Sequence, residues 1–188
     1  MIHIYRRVPS KISTIMVAFD AGARAEGDKY SLGLAHMLEH MVFKGTPTRH
    51  YLDIPREIGF LGGDINAFTS QEFVCFYVSV PFENTEKAMN ILSDIVFNST
   101  FPEEEFVKER EVVKEEELSS QDNVESFIWD EFCKEFFAHR ISLPVIGTQE
   151  SISQFTTKEL KKFHSKFYKR SSAIVSFCSN HSKREGKQ

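Results

Sequence analysis

The spacing of apolar residues along the chain distinguishes segments typical of strands from segments typical of helices. Residues 12–19 (ISTIMVAF) are mostly apolar and rich in β-branched residues, which predicts a strand. DINAF and FVCFYVSV, at 64–68 and 73–80, predict two further strands joined through the polar turn TSQE. SAIVSFC, at 172–178, predicts a last strand. The two strands around TSQE have the pattern of a hairpin.

Apolar residues recur at helical spacing in much of the remaining chain. Ser31 is the predicted N-cap of a helix that ends near Lys44, because Gly45 and Pro47 follow. The other predicted helices cover 53–60, 83–97, 103–118, 124–137 and, opened by a capping box at Thr156, the segment to Tyr168. HRISLPVIGTQES, at 139–151, is predicted as a loop. Interspersed helices and strands with a hairpin favour an α+β fold over a doubly wound parallel sheet.

The length, net charge and cysteine spacing of the chain exclude several classes of protein. A chain of 188 residues allows one domain with its own core. The net charge of -4, without a long basic block, argues against nucleic acid and against a membrane as partners. No segment reaches the roughly 18 apolar residues of a membrane span, and the N-terminus does not resemble a signal peptide. Cys75, Cys133 and Cys178 form no paired motif, so a reducing, cytoplasmic location is predicted.

The segment SLGLAHMLEHMVFKGT, at 31–46, places three ionisable side chains on a mostly apolar helix. His36 and His40 are four residues apart, so their rings project from one face at one-turn spacing. Two imidazoles in this arrangement can bind a single tetrahedral metal ion. Glu39 flanks the same face and can lie beside a metal-bound water without ligating the metal. The order His-x-x-Glu-His is the inverted form of the commoner zincin motif.

A zinc site of this kind needs a third protein ligand. The obvious source of carboxylates is FVKEREVVKEEELSS, although most of its acidic residues are expected on the solvated face of a helix. Glu109 and Glu116 are two helical turns apart and can point the same way. Glu117 lies nearer the middle of the apolar stripe marked by Phe106, Val113, Val124 and Ile128. Periodicity alone therefore leaves the choice between Glu116 and Glu117 open.

Several segments together resemble the pitrilysin–insulinase family of zinc peptidases, especially its bacterial and mitochondrial processing peptidase branch. They are GLAHMLEHMVFKGT, LGGDINAFTSQE and EREVVKEE, and PVIGTQESI is similar to the loop before a late helix of that family. The resemblance runs from Ile12 to Ser179 with the elements in the family's order. It implies an α+β domain with a mostly antiparallel sheet and helices packed on one side.

The resemblance also implies a set of site residues. In the family the two histidines of the motif bind zinc, which implies His36 and His40 as ligands. The family's third ligand follows seven residues after the glutamate of a Glu-Arg pair, here Glu109-Arg110, which implies Glu116. Glu109 is then the second acidic residue of the catalytic set, which supports the site without ligating zinc. One Zn²⁺ per chain is implied, with a coordination position open for water and Glu39 as the general base.

The segment DINAFTS is implied to bind substrate. In the family this strand lies at a sheet edge beside the zinc, and a substrate peptide adds to it as a further strand. Asn66 and Ala67 would offer main-chain partners, and Phe68 would form part of the pocket next to the scissile bond. Without the resemblance, an ordinary hairpin with Phe68 in the core explains the same pattern equally well.

Members of this branch are considerably longer and consist of similar domains that enclose a chamber. The chain therefore resembles a single zinc-binding peptidase domain at 1–179, followed by a polar tail at 180–188. The expected function is that of a zinc-dependent endopeptidase or oligopeptidase acting on extended or unfolded peptides. The alternative is a zinc- and peptide-binding module that is inactive until a complementary domain, a subunit or another copy of the chain completes it.

Overall fold

A five-stranded sheet forms the centre of the computed structural model, which describes residues 1–181. The strands are β1 (Ile2–Arg7), β2 (Ile12–Phe19), β3 (Asp64–Thr69), β4 (Val74–Pro81) and β5 (Ile174–Ser179). Their order across the sheet is β1-β5-β2-β4-β3. β1 runs parallel to β5, whereas β5, β2, β4 and β3 are antiparallel to their neighbours. The sheet is thus mostly antiparallel, as expected.

Among the described residues, α-helices lie between the strands along the chain: two before β3 and five between β4 and β5. Within residues 1–181 the α-helices are α1 (Leu34–Val42), α2 (Asp53–Phe60), α3 (Thr85–Asn98), α4 (Glu103–Asp122), α5 (Val124–Phe136), α6 (Gln149–Gln154) and α7 (Thr157–Phe167). Short 3₁₀ segments lie at Ala23–Lys29, Phe82–Asn84, His139–Ser142 and Arg170–Ser172. The α+β fold predicted from the sequence is confirmed.

One face of the sheet carries the helices and the core. Side chains alternate along a strand, so Ile15, Val17 and Phe19 of β2 are buried on this face while the residues between them stay partly exposed. α3 packs against β4, and α1 packs between β3, α4 and α7. The helix that carries both histidines is therefore held beside the edge strand β3.

β1 and α6 are not part of the sequence prediction, and the predicted N-cap Ser31 is wrong because α1 begins after Gly33 without a side-chain cap. β1 lies in the N-terminal segment, for which no strand is predicted, because its side chains are mostly exposed and its partner β5 lies at the far end of the chain. α6 lies in the segment predicted as a loop. It has only six residues and begins with a capping box formed by Thr148 and Ser151, a pattern too short for helical periodicity to reveal.

The remaining predictions concern the tail and membrane spans. Residues 182–188 of the predicted polar tail lie outside the described residues. No helix within residues 1–181 combines the length and the hydrophobicity required to cross a lipid bilayer. Within the described residues, Cys75, Cys133 and Cys178 form no disulfide bond.

Candidate metal centre

α1 presents its polar side chains on one face because the rest of the helix is buried. Its core-facing residues are Leu34, Ala35, Met37, Leu38, Met41 and Val42. His36, Glu39 and His40 stay partly exposed, and the ring centroids of the two histidines are 4.6 Å apart. The i, i+4 spacing in the sequence thus becomes a pair of neighbouring imidazoles at the surface of the core.

α4 runs past this face and brings Glu116 opposite both imidazoles. Glu116 Oε1 lies 3.8 Å from His36 Nε2, and Glu116 Oε2 lies 3.4 Å from His40 Nε2. One ligand atom from each of the three residues lies within 4.8 Å of the other two. In the part of the chain that the structure describes, no other group of His, Cys, Asp and Glu side chains meets this condition.

The three side chains fit a zinc ion. Zinc in proteins is four-coordinate with bonds of about 2.0–2.2 Å to nitrogen and oxygen, so two ligand atoms lie roughly 3.3–3.6 Å apart. The distances of 3.4 and 3.8 Å between Glu116 and the two Nε2 atoms are close to that separation. Two imidazoles and one carboxylate are the ligand set of a catalytic zinc site, which keeps one position open.

Glu109 holds His40 from the other side of the ring. His40 Nδ1 is 2.9 Å from Glu109 Oε1, and Lys44 Nζ is 2.5 Å from Glu109 Oε2. Burial alone would raise the pKa of Glu109, but its hydrogen bonds to His40 and Lys44 lower it below the ordinary value. The ionised Glu109 fixes the His40 ring with Nε2 directed at Glu116, as a hydrogen-bonded neighbour of a metal ligand does.

The two histidines bind protons very differently. Burial, assisted by His40, lowers the pKa of His36 to about 4 against the opposing effect of Glu116. Burial also acts to lower the pKa of His40, but its hydrogen bonds to Glu109 and Glu116 outweigh this and raise the pKa to about 9. The hydrogen bond from His40 lowers the pKa of Glu116. Without metal at neutral pH, the cluster therefore contains neutral His36, protonated His40 and ionised Glu116.

Glu39 lies on the same face of α1 and is held by β3. Thr69 Oγ1 donates a hydrogen bond of 2.5 Å to Glu39 Oε2. Burial raises the pKa of Glu39, although the Thr69 hydrogen bond and the nearby His40 act in the opposite direction. The carboxyl group is thus fixed at the sheet edge with an increased affinity for a proton, which suits a group that accepts and then releases one.

Glu117 is engaged away from the histidines. Its carboxylate accepts hydrogen bonds from Gln121 and, at 2.6 Å, from Gln149 Nε2, and the side chain is buried. Gln149 also donates to the main-chain oxygen of Lys114 at 2.8 Å, so Glu117 helps to attach α6 to α4. The apolar stripe in the sequence indicates Glu117 as an inward-facing residue, and the inward face of α4 at this turn is not the histidine face.

β3 is an edge strand, because only β4 pairs with it in the described sheet. Ser70 N donates to Phe73 O, so the even-numbered residues of β3 direct their main-chain groups to β4. The main-chain groups of Ala67 therefore face the open edge, whereas those of Asn66 face β4. The Asn66 side chain instead reaches the edge, where its Oδ1 accepts a hydrogen bond of 2.8 Å from Ala67 N.

Phe68 lies outside the core. Its side chain is on the face of β3 opposite to Thr69, it is 42% exposed, and its ring centroid is 5.7 Å from that of Phe73. The alternative of an ordinary hairpin with Phe68 in the core is therefore wrong about Phe68, which is not a core residue. The exposed ring leaves an apolar surface next to the open edge of the sheet.

The model of the insulinase family, peptidase family M16, matches residues 2–149. The chain belongs to that family. An uncharacterized zinc protease of Rickettsia felis is 38% identical over 160 residues, which cover 85% of this chain and 39% of that protein. A probable mitochondrial-processing peptidase subunit beta of Arabidopsis thaliana is 31% identical over 167 residues, which cover 88% of this chain and 31% of that protein.

A solved structure agrees with the fold. A protease from Helicobacter pylori superposes with a TM-score of 0.89 and 25% identity, over 97% of this chain and 45% of that one. The resemblance to the insulinase family that the motifs indicate is confirmed. The chain spans less than half the length of each of these relatives.

Two residues that the sequence analysis does not single out contact this candidate site directly. Thr69 binds Glu39, and Lys44 binds Glu109. Both have a local signal in the sequence. Thr69 follows Ala67 by two residues and so shares its strand face, and Lys44 follows His40 by four residues and so lies one turn further along.

Glu26 anchors the N-terminus of α1. Its buried carboxylate accepts hydrogen bonds from Gly33 N at 3.1 Å and Ala35 N at 2.9 Å. A negative charge at this end of a helix is stabilising. Gly33 adopts a φ of 88°, and a Cβ there would lie 2.3 Å from the oxygen of Ile146, so this tight junction requires glycine. No local pattern links Glu26 to amides on the far side of a loop.

Proposed function

We propose that this chain is the zinc-holding domain of an endopeptidase or oligopeptidase that hydrolyses extended or unfolded peptides. The observation that carries the proposal is the convergence of His36, His40 and Glu116 beside Glu39. Membership of the insulinase family and the zinc-protease name of the Rickettsia felis relative support it. The three free cysteines support a reducing compartment, the cytoplasm, as its location.

The metal would be one Zn²⁺ per chain, held by Nε2 of His36, Nε2 of His40 and the carboxylate of Glu116. When bound, zinc supplies Lewis acidity, which polarises a peptide carbonyl and lowers the pKa of a water molecule to about 7. Glu109 positions the His40 ring through Nδ1, and Lys44 keeps Glu109 ionised and in place. The two glutamates thus have different roles at His40: Glu116 would bind the same metal ion at the Nε2 side, and Glu109 holds the ring through Nδ1.

Glu39 is the residue that moves the proton. Its carboxylate accepts a proton from the attacking water and delivers it to the amine that leaves when the peptide bond breaks. Thr69 fixes the plane of the carboxylate by its hydrogen bond to Oε2. The raised pKa that burial gives to Glu39 favours retention of the proton between these two transfers.

The substrate would bind as a strand added to the open edge of β3. The outward main-chain groups of Ala67 offer one donor and one acceptor to an extended peptide. The Asn66 side chain covers the Ala67 amide and has to release it to the peptide, and the exposed ring of Phe68 offers an apolar contact beside the edge. Main-chain pairing is insensitive to side-chain identity, which suits unfolded substrates of varied sequence.

The second candidate function is a zinc- and peptide-binding module that is inactive on its own. One observation favours it, because the chain spans only 39% of the Rickettsia felis relative. Under this hypothesis a complementary domain, a subunit or another copy of the chain supplies groups that complete the site. The metal ligands and the strand edge then have the same roles, and turnover needs the partner.

The deciding experiment is hydrolysis of an internally quenched, unstructured peptide by the purified, zinc-loaded chain. Glu39→Gln is the matched variant, because it keeps the shape of the side chain and removes its ability to take up a proton. Zinc content is measured for both proteins, and a chelator is added as a second control. We expect turnover by the wild type and a loss of at least about a hundredfold in the variant, the contribution typical of a general base.

The two hypotheses give different results in this assay. Turnover that disappears with Glu39→Gln and with chelator supports a self-sufficient peptidase. A folded, zinc-bound wild type that binds peptide without cleaving it supports the module. A wild type that binds no zinc contradicts both.

A further inference from the structure

α5 is a helix without a buried face in the described structure. None of its residues is fully buried, and its large apolar side chains are unusually open to solvent, with Trp129 62% and Phe136 69% exposed. Single exposed apolar residues are ordinary, but a contiguous group of this size marks an interaction surface. The surface has no part in the proposed metal centre, so its role is independent of the proposed function.

Four side chains form a continuous ridge along this helix, which we call the α5 stripe: Ile128, Trp129, Phe132 and Phe136. Phe132 follows Ile128 by four residues and Trp129 by three, and Phe136 follows Phe132 by four, so all four lie on one side of the helix. The ring centroids of Trp129 and Phe132 are 5.7 Å apart, and those of Phe132 and Phe136 are 5.1 Å apart with the rings stacked. The ridge is therefore preformed, because the aromatic side chains already support one another.

Acidic residues outnumber basic residues along α5. Glu125 lines the same shallow groove as Ile128, Trp129 and Phe132. Across α5 the charged residues are Glu125, Asp130, Glu131, Lys134 and Glu135, of which only Lys134 is basic. The preceding helix α4 is also strongly acidic. A partner with an apolar centre and a basic rim would complement both the apolar side chains and the negative charge of this surface.

A second copy of the chain is a poor occupant of this surface. A two-fold pairing of α5 with itself would bring the same acidic side chains of the two copies together. Like charges that face each other across an interface repel and oppose the pairing. The same charge disfavours an anionic lipid surface. The acidic charge instead favours a polypeptide with apolar residues on one side and lysine or arginine on the other.

We propose that the α5 stripe is a docking surface for an amphipathic, basic helix of a partner polypeptide. The shape fits, because side chains at i, i+3 and i+4 on one helix form ridges against which a second helix packs. α5 has 13 residues and is therefore about 20 Å long, which is enough for three to four turns of a partner. Binding through the apolar face of an amphipathic helix is a common mode of polypeptide recognition.

The chain contains a built-in reporter for this interaction. Trp129 is its single tryptophan, so all tryptophan fluorescence arises from the α5 stripe. The probe is a synthetic helix of about 18 residues with leucine on one side and lysine on the other. The matched probe has glutamate in place of every lysine. We expect a saturable blue shift of the emission with the lysine peptide, weakened by added salt, and none with the glutamate peptide.

Variants test whether the stripe itself binds. The double variant Phe132→Ser with Phe136→Ser keeps the reporter, and we expect it to bind the lysine peptide at least about tenfold more weakly. The control is Phe60→Ser, which removes an even more exposed phenylalanine, 91% exposed, from α2 and should bind like the wild type. Circular dichroism verifies that each variant is folded, which is expected because all three side chains are on the surface.

Other outcomes contradict the proposal. Equal binding of both peptides would mean that the surface is merely apolar and does not select a basic partner. Absence of any shift with the lysine peptide would mean that no such helix docks there. A blue shift that appears without peptide as the protein concentration rises, together with a dimer in sedimentation, would assign the surface to a second copy of the chain.

Discussion

His40 contacts two carboxylates through its two ring nitrogens, Glu109 at Nδ1 and Glu116 at Nε2. In the metal-free protein this pair of acceptors keeps the ring protonated, with a pKa raised to about 9. A metal ion at Nε2 has to displace the proton that occupies that atom. Proton release is therefore coupled to zinc binding at this residue.

The first prediction concerns the pH dependence of zinc affinity. Below pH 9 His40 carries a proton that competes with zinc, whereas His36 and Glu116 have lowered pKa values and do not compete at neutral pH. The competing proton is lost as the pH rises, so affinity should increase about tenfold per pH unit between pH 6 and 8 and level off near 9. Calorimetry in buffers of different ionisation enthalpy should find about one proton released per zinc.

A flat affinity over this range would contradict the protonated state of His40. The matched variant is Glu109→Gln, which removes the negative charge at Nδ1. In this variant the zinc affinity should stop rising at a lower pH, because the hydrogen bond to Glu109 is one of the causes that raise the pKa of His40.

The second prediction separates two adjacent glutamates. Glu116→Gln should weaken zinc binding by more than about a hundredfold, the upper end of what a mere neighbour of a ligand contributes. Glu117→Gln should bind zinc like the wild type, because the Glu117 carboxylate is occupied by Gln121 and Gln149. Zinc content after dialysis against a weak chelator measures the difference. Retention by Glu116→Gln with loss by Glu117→Gln would reverse the assignment.

For single residues, the sequence predicts only part of the candidate metal centre. The spacing of His36, Glu39 and His40 implies their common face, because four residues make one helical turn. The choice of Glu116 needs the family resemblance, since helical periodicity favours neither glutamate. The anchoring of α1 by Glu26 depends on the packing of a loop that no local pattern specifies.

The six residues of β3 direct alternate main-chain groups to β4 on one side and to the open edge of the sheet on the other. The register with β4 decides which amides are committed to the sheet and which face the edge. Neighbouring residues of this strand therefore tolerate very different substitutions.

The third prediction uses this difference. Ala67→Pro removes an outward amide, and proline is tolerated at such edge positions, so the protein should fold normally and bind an unstructured peptide about five- to tenfold more weakly. Asn66→Pro removes an amide that pairs with β4 and should lower the free energy of unfolding by about 1–3 kcal/mol. Denaturant titration and peptide binding by fluorescence anisotropy measure the two effects. Unchanged peptide binding by a folded Ala67→Pro would exclude strand addition at this edge.

The sequence predicts the elements whose pattern is local. The hairpin of β3 and β4 and the helix α2 agree with the sequence, because alternation and helical periodicity act within each segment. β1 has no such pattern, because its side chains are mostly exposed and only β5, at the other end of the chain, gives it a partner. Pairing between distant strands is a property of the whole fold, which a local window does not contain.

The two edges of the sheet differ in the way they are protected. β1 carries exposed Ile2 and Ile4 but ends in Arg6 and Arg7, and charged side chains on an edge oppose unwanted pairing. At the other edge, the amide of Ala67 is covered by the neighbouring Asn66 side chain. A small reorientation of one side chain uncovers this amide. The proposed strand addition therefore uses the edge on the side where the histidines lie.

The position of β5 also has a consequence for synthesis. β5 is the last of the described strands along the chain but lies inside the sheet, between β1 and β2. On the ribosome, residues 174–179 emerge long after the segments they join. Until then β1 has no neighbour in the sheet and the β5-facing side of β2 is uncovered, and unpaired strand edges make a chain prone to aggregation. Closure of the sheet therefore waits for the last of the described strands.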